Sequence, residues 1–559
     1  MLKTYADGKT SATYLYDNLN RKISETVNYG NFQLKYGYAY YKNGLKKNII
    51  MPDGTSYEYT YDNANQLTGI SSISYSDYQW NKPKSVKLPG GVSKTYSYDS
   101  LMRLQTIAVK NPAQNVLMQY GYTYDKMDNI RTKQTEHGNY GYVYDSLYRL
   151  TSADNPGVND EAYTYDNAGN RLTANGISGN WTYNANNELR AFGNSTFDYD
   201  RNGNMSQKSD GSQAFTYIYD VENRLVRVEK KSDGSVVANY YYDPFGRRLW
   251  KEVSGVRTYF LYADEGLIGE YDASGAFVRT YAYKPNSMWT TDPVFMKQRS
   301  GNYFYHNDRL GTPVQMTDIS GNLVWSAKYD SFGKTEIGAS LVTNNLRLPG
   351  QYFDAETGLY YNYFRYYDPN IGRYVETDPL GFGNGLYSMV GSKCSTGYRY
   401  DNLYVYVSNN PLNFIDPRGQ WKVGIETPCI PFPPPLSLVG YQGSVSTETK
   451  SCCDGTKKKK VTSVEACLKL CSIRSGLGSL SVSTSSPDAI KSCPKEGEGG
   501  GKIFAECHTS IWKSEVSAEY PDWTPKFNVE YTRGENITIN TNGEINVVLA
   551  MPSDNGCSG

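Results

Sequence analysis

This sequence predicts a mainly β fold of stacked hairpins, followed by a small, cysteine-rich and mostly β C-terminal domain. The first observation is the dipeptide Tyr-Asp, which returns at Tyr16, Tyr61, Tyr98, Tyr124, Tyr144, Tyr165, Tyr199, Tyr219 and Tyr242. From Tyr98 onward the steps are 26, 20, 21, 34, 20 and 23 residues, and the long one divides at a degenerate Tyr183-Asn184. A fixed period of this length marks a repeat architecture. The second is the alternation of aromatic with small or polar residues, as in Tyr122-Thr123-Tyr124 and Tyr217-Ile218-Tyr219, which is strand periodicity. The third is the near absence of helix-period stretches before residue 420, in a chain with 54 tyrosines among 559 residues.

Residues 1–300 read as the repeat sheet. After each Asp comes a turn-forming segment, such as Asp166-Asn167-Ala168-Gly169-Asn170-Arg171, and then a second strand opening on Leu or Met, so the unit is a hairpin. Rings are expected on one buried face, with phenolic hydroxyls and Asp carboxylates bonding the neighbouring unit. The repeating aspartates are read as turn residues and not as catalytic carboxylates. The chain opens directly in repeat sequence, so it is expected to be the C-terminal part of something longer or the product of a late start, with any export signal upstream.

Composition narrows the function. Lys+Arg and Asp+Glu are equal at 57 each, which gives no field favouring nucleic acid or an anionic membrane. No apolar run approaches the roughly eighteen residues of a membrane helix. The three histidines, His137, His306 and His508, lie in separate contexts, with His137 expected in a surface loop. They argue against a His-ligated metal or a His-dependent nucleophile, and no cofactor is expected.

Residues 301–420 carry a series of rare motifs. They are the run Tyr305-His306-Asn307-Asp308-Arg309-Leu310-Gly311-Thr312-Pro313, then WSAKYDSFG (325–333), LRLPGQYFDAETGLYYNYFRYYDPNIGRYVETDPLGF (346–382) and NLYVYVSNNPLNFIDPRG (402–419). Asp368-Pro369, Asp378-Pro379-Leu380-Gly381 and Asp416-Pro417-Arg418-Gly419 each set a φ-locked proline after a turn-forming aspartate, which predicts three tight turns. In their order these motifs resemble the RHS repeat-associated core of the RHS/YD-repeat family, and the resemblance covers about residues 1–420. It implies a β ribbon spiralling into a hollow shell, a core that seals one end, and a variable C-terminal segment directed inward. That segment is often a toxin in bacterial members, whereas the shell serves adhesion in the teneurins.

The resemblance also implies self-cleavage just after the last Asp-Pro-x-Gly, by two aspartates acting as an aspartic-protease-like pair. Asp416 matches the second aspartate, and Asp401 is the nearest candidate for the first; the scissile bond is then Gln420–Trp421. Gln420 replaces the family's usual Leu, and Asp401 lies closer to its partner than usual, after an insertion at 383–400.

Residues 421–440 are proline-dense (TPCIPFPPPL, 427–436) and read as an extended linker. Residues 441–559 form the variable domain. The chain has no cysteine before Cys394, and eight lie between Cys429 and Cys557. Cys467 and Cys471 are expected four apart on a short helix over Val461–Ser472, facing Cys452 and Cys453 in a disulfide framework. Zinc is the competing reading, with Cys467 and Cys471 as two ligands. Ile537–Leu549 is expected to form a hairpin about Asn542-Gly543. Residues 421–559 hold 14 Lys+Arg against 15 Asp+Glu, a balance that disfavours a phosphate-gripping nuclease. The leading expectation is an exported bacterial shell, extracellular or on the cell surface, with its own C-terminal segment as cargo. Self-cleaving toxin release is the alternative, and a cell-surface protein or glycan partner, recognised through stacked rings, is the second.

Overall fold

The computed structural model describes residues 2–156, 159–177, 179, 181–381, 402–420, 423–424, 440–451, 457–469, 526–530 and 544–548. The chain divides into two units, Met1–Pro428 and Cys429–Gly559.

The first unit is an antiparallel meander. Seventeen strands from Thr4–Ala6 to Arg171–Ala174 each pair with the next in sequence, and sixteen more run from Thr182–Tyr183 to Thr335–Ser340 in the same way. A four-stranded sheet follows over Tyr352–Tyr374. The expected hairpin repeat is what forms, and one turn explains it. At Asp17, Asp99, Asp145 and Asp220, carboxylate Oδ1 accepts the amides of residues two and four further on, at 2.9–3.0 Å. The residue three after Asp turns left-handed, as in Asn20 (φ 63°), Asn223 (φ 59°) and Gly169 (φ 81°). The register then slips by one at the tyrosine, as at Tyr16 opposite Lys22. A type I turn closed by a left-handed residue and a bulge matches the natural twist of a hairpin. The same turn recurs at Tyr271-Asp272 and Tyr329-Asp330 with Gly275 and Gly333 left-handed.

The units are tied to one another differently from the sequence expectation. Tyrosine hydroxyls do reach the preceding hairpin: Tyr165 donates to the Leu150 carbonyl (2.7 Å), Tyr219 to Met205 (3.0 Å) and Tyr242 to Leu225 (2.7 Å). The carboxylates do not bond the neighbouring unit in these turns, because the amides of their own turn lie within reach first. The forward link is the arginine four residues on, whose Nε holds Asp Oδ2. Its Nη1 donates to the next turn's carbonyl, Arg149 to Asp166 at 2.8 Å and Arg224 to Asp243 at 3.1 Å.

The two large sheets meet through buried rings and hydrogen bonds. Tyr29 donates to the Phe260 carbonyl (2.7 Å), Tyr38 to Glu265 (2.6 Å), and Gln315 to the Leu117 carbonyl (3.0 Å). Arg248, with no exposed surface, pairs with both oxygens of Asp354 (2.5 and 3.0 Å) and so fastens the four-stranded sheet to the second large one. His137 is exposed in a turn, as expected.

In the second unit, Gly440–Ser451 pairs antiparallel with Lys457–Lys469. The helix expected from residue 461 is therefore a strand through Lys469, with Cys467 opposite Gln442. β-branched Val461, Thr462 and Val464 fit an extended chain better than a helical turn. Glu544–Val548, the second arm of the expected hairpin, pairs in parallel with Lys526–Glu530; its first arm and turn lie outside the described residues. Cys452, Cys453, Cys471, Asn542 and Gly543 lie outside the described residues, as does the disulfide or zinc pairing expected of them.

Candidate functional site

The segment 402–419 lies across the row of repeat turns. Asn413 Oδ1 accepts the Ile130 amide (3.0 Å), Asn410 donates to Asn129 (3.0 Å), and Asn409 to the Gly169 carbonyl (2.9 Å). Asn402 donates to Asn170 (2.6 Å) and Tyr404 to the Gly203 carbonyl (2.8 Å). These are the ends of the Tyr-Asp turns at Asp125, Asp166 and Asp200, so the core holds these hairpins by their tips. To do so it holds Val407, Ser408 and Asn409 at φ 39°, 61° and 57°, a left-handed conformation costly for a β-branched valine.

The three Asp-Pro turns form as expected, and they repeat the local chemistry of the Tyr-Asp turns. In each, Oδ1 is spent locally, on Asn370 N (3.0 Å), Leu380 N (2.9 Å) and Gln420 N (3.0 Å) for Asp368, Asp378 and Asp416. Gly372, Gly381 and Gly419 are left-handed three or four residues on. What differs is Oδ2. It is not returned to the turn but meets a distant cation: Lys208 for Asp368 (2.5 Å) and Arg365 for both Asp378 (3.0 Å) and Asp416 (3.1 Å).

Arg365 Nη2 therefore touches two carboxylates at once. The guanidinium stacks on the Tyr374 ring at 3.5 Å, and its other nitrogens donate to the carbonyls of Gly419 and Leu403, which fixes it in the plane between the two turns. Tyr374 donates to Asp416 Oδ2 (2.7 Å), and Asn362 Nδ2 donates to both the Tyr374 hydroxyl and the Asp416 carbonyl (2.8 Å each). Burial pushes the Asp378 carboxyl up; Arg365 pulls it down and the Asp416 charge raises it, for a net rise. Burial also lifts Glu376, which accepts the Tyr366 amide, to about 8.

Of the sequence-predicted pair, Asp416 sits in this cluster at 2 % exposure, whereas Asp401 lies outside the described residues. Sequence reasoning missed Asp378 and Arg365; Asp378 was read as a turn residue. The segment with the expected scissile bond is bracketed by a short hairpin, Phe414–Ile415 against Val423–Gly424. Gly419 is needed beside it, because a Cβ there would meet the Asn362 carbonyl at 2.6 Å.

The Teneurin YD-shell family model matches residues 70–412, more than half of the chain. This chain belongs to the Teneurin YD-shell family. Similar sequences include the tRNA nuclease WapA of Bacillus subtilis, 32% identical over 270 residues, 46% of this chain and 11% of that protein. The double-stranded DNA deaminase toxin A of Burkholderia cenocepacia is 30% identical over 332 residues, 53% of this chain and 22% of that protein. The toxin protein Tse5 of Pseudomonas aeruginosa is 27% identical over 368 residues, 54% and 27% respectively. The matches thus span about a tenth to a quarter of these relatives. Among solved structures, the Photorhabdus luminescens Tc holotoxin pore with mutated TccC3 superposes with a TM-score of 0.59 at 19% identity, over 77% of this YD-shell chain and 24% of that one. A TcdB2-TccC3 crystal structure gives 0.58 at 18%, over 73% and 24%. These share the shell fold. No helix among the described residues is long and apolar enough to cross a membrane.

Proposed function

We propose that this YD-shell chain is the carrier part of an exported bacterial delivery protein, and that residues after 420 are its exchangeable cargo. One observation carries the reading. Relatives named for unlike activities, a tRNA nuclease and a DNA deaminase, each share with this chain a stretch of similar length, 270 and 332 residues. A common carrier with different cargo accounts for that. Limited proteolysis of the full chain tests it: residues 421–559 are expected to resist protease until denaturant opens the sheets. Their immediate digestion while 1–420 stays whole would refute enclosure.

A second reading is supported by the core geometry: release of the cargo by cleavage of the Gln420–Trp421 bond. Two carboxylates about 3 Å from one guanidinium nitrogen can share a water, and Asp416 Oδ1 already holds the Gln420 amide. In this scheme Asp416 takes a proton from the water as its oxygen adds to the Gln420 carbonyl. Asp378, whose proton burial favours, donates it to the departing Trp421 amine as the C–N bond breaks. Arg365 positions both. Intact-mass measurement after incubation is expected to find a fragment beginning at Trp421, absent in Asp416→Asn and in Asp378→Asn with the β circular dichroism unchanged. Asp401→Asn, made alongside, reports on the nearest candidate for the family's first aspartate. A wild-type chain that stays at 62.8 kDa refutes cleavage and leaves the carrier reading standing.

A further inference from the structure

Between the two large sheets of the first unit lies a cavity of about 530 Å³, bordered by strands of residues 73–110 and by the segment 284–311. That volume suits a small ligand. Its walls include the rings of Tyr75, Tyr96 and Tyr98 and the aliphatic side chains of Leu88, Ile107 and Leu310.

The polar wall holds two carboxylates, Asp292 and Asp308, and several donors, among which Lys94, Tyr75 and Tyr96 have little to donate to. Lys94 is buried (8 % exposed), and its ammonium donates to the Tyr305 carbonyl. No carboxylate among the described residues forms an ion pair with it. Of the two carboxylates on the wall, Asp292 is held by Lys284 at 2.6 Å and by Asn307 at 2.7 Å, and Asp308 Oδ1 accepts the Leu310 and Thr312 amides at 2.9 Å each. An ammonium has three N–H bonds and a single carbonyl uses one of them. The hydroxyls of Tyr75 and Tyr96 make no hydrogen bond within the described residues. Arg309, also on the wall, donates to the Leu412 carbonyl and the Asn413 side chain and to no carboxylate.

A buried cation without a counter-charge is costly, and its neighbours show the strain of it. Burial lowers Lys94 to about 8, and burial together with the Lys94 charge pushes His306 well down. An anion in the cavity would relieve this, accept the spare lysine N–H bonds and the two free phenols, and lay an apolar body on the rings and aliphatic wall.

We propose that this cavity binds a small organic anion, a carboxylate or phosphate group carried on an aromatic or branched apolar body, anchored by Lys94 with Tyr75 and Tyr96 as further donors. This is a site distinct from the aspartate cluster of the core, and it does not depend on the carrier reading.

The test uses the full chain and a fluorescent aromatic anion, 8-anilinonaphthalene-1-sulfonate, at neutral pH, with displacement by benzoate and by phenyl phosphate. Saturable binding is expected, and displacement by either competitor identifies the head group. Lys94→Met keeps the length and apolar stem of the side chain and is expected to weaken binding at least tenfold, while Lys94→Arg retains it. Should Lys94→Met fail to fold, Tyr75→Phe and Tyr96→Phe remove only one hydroxyl each and are expected to weaken binding several-fold. Unchanged affinity in the folded Lys94 variant, or in both phenylalanine variants, overturns the proposal. So does probe binding that neither competitor displaces, or no saturable binding at all.

Discussion

Glu376 offers the sharpest test of how the core is held together. It is buried at 3 % exposure two residues before Asp378, with its carboxyl against the Tyr366 amide, and desolvation raises it from an ordinary 4.5 to about 8. The folded state thus binds a proton that the unfolded chain has lost above pH 4.5. Stability from this group is fully present below about pH 4.5 and declines as pH rises towards 8. The slope over that window is about 1.4 kcal/mol per pH unit, so raising the pH from 5 to 7 costs roughly 2–3 kcal/mol. Glu376→Gln keeps the shape and an acceptor for the Tyr366 amide but cannot titrate. Urea unfolding of both proteins at pH 5, 6 and 7, followed by tyrosine fluorescence, is expected to give a wild-type midpoint that falls with pH relative to the variant's. Parallel pH dependence in the two proteins would refute the reasoning, whatever other carboxyls contribute to the common slope.

Two further outcomes follow from the packing. Removing a rung of the hydroxyl ladder, Tyr165→Phe or Tyr219→Phe, is expected to cost about 1 kcal/mol each in urea unfolding, and an unshifted midpoint for both would deny the ladder a role in stability. Asp354→Asn leaves Arg248 buried without its charge partner and is expected to cost about 3–5 kcal/mol; a loss under about 1 kcal/mol would mean the pair is not what fastens the four-stranded sheet.

How legible each feature was depended on how far its chemistry reaches along the chain. The Tyr-Asp turn closes within five residues, from the aspartate to the amide four further on, so its repetition could be read directly and it predicted the meander. Tyr271-Asp272 and Tyr329-Asp330 carried the same signal, and their turns extend the pattern. Asp378 and Asp416 present the same local face as those turns, with a glycine three residues on. Only their outer oxygens differ, and these meet Arg365, 51 residues before Asp416, a contact no local pattern encodes. In the second unit, the spacing of two cysteines suggested a helix where Val461, Thr462 and Val464 favoured a strand.

The way the core sits on the turn tips sets an order of events. Asn413 bonds Ile130 across 283 residues, Asn410 bonds Asn129 across 281, and Asn402 bonds Asn170 across 232. Contacts so distant in sequence form late in folding, because long loops must close before they are rewarded. A chain emerging from its N-terminus therefore lays down the hairpins first and seats residues 402–419 last. Asp416 reaches Arg365 and Asp378 only at that final step, so the carboxylate cluster is itself a report that the hairpins beneath it are complete.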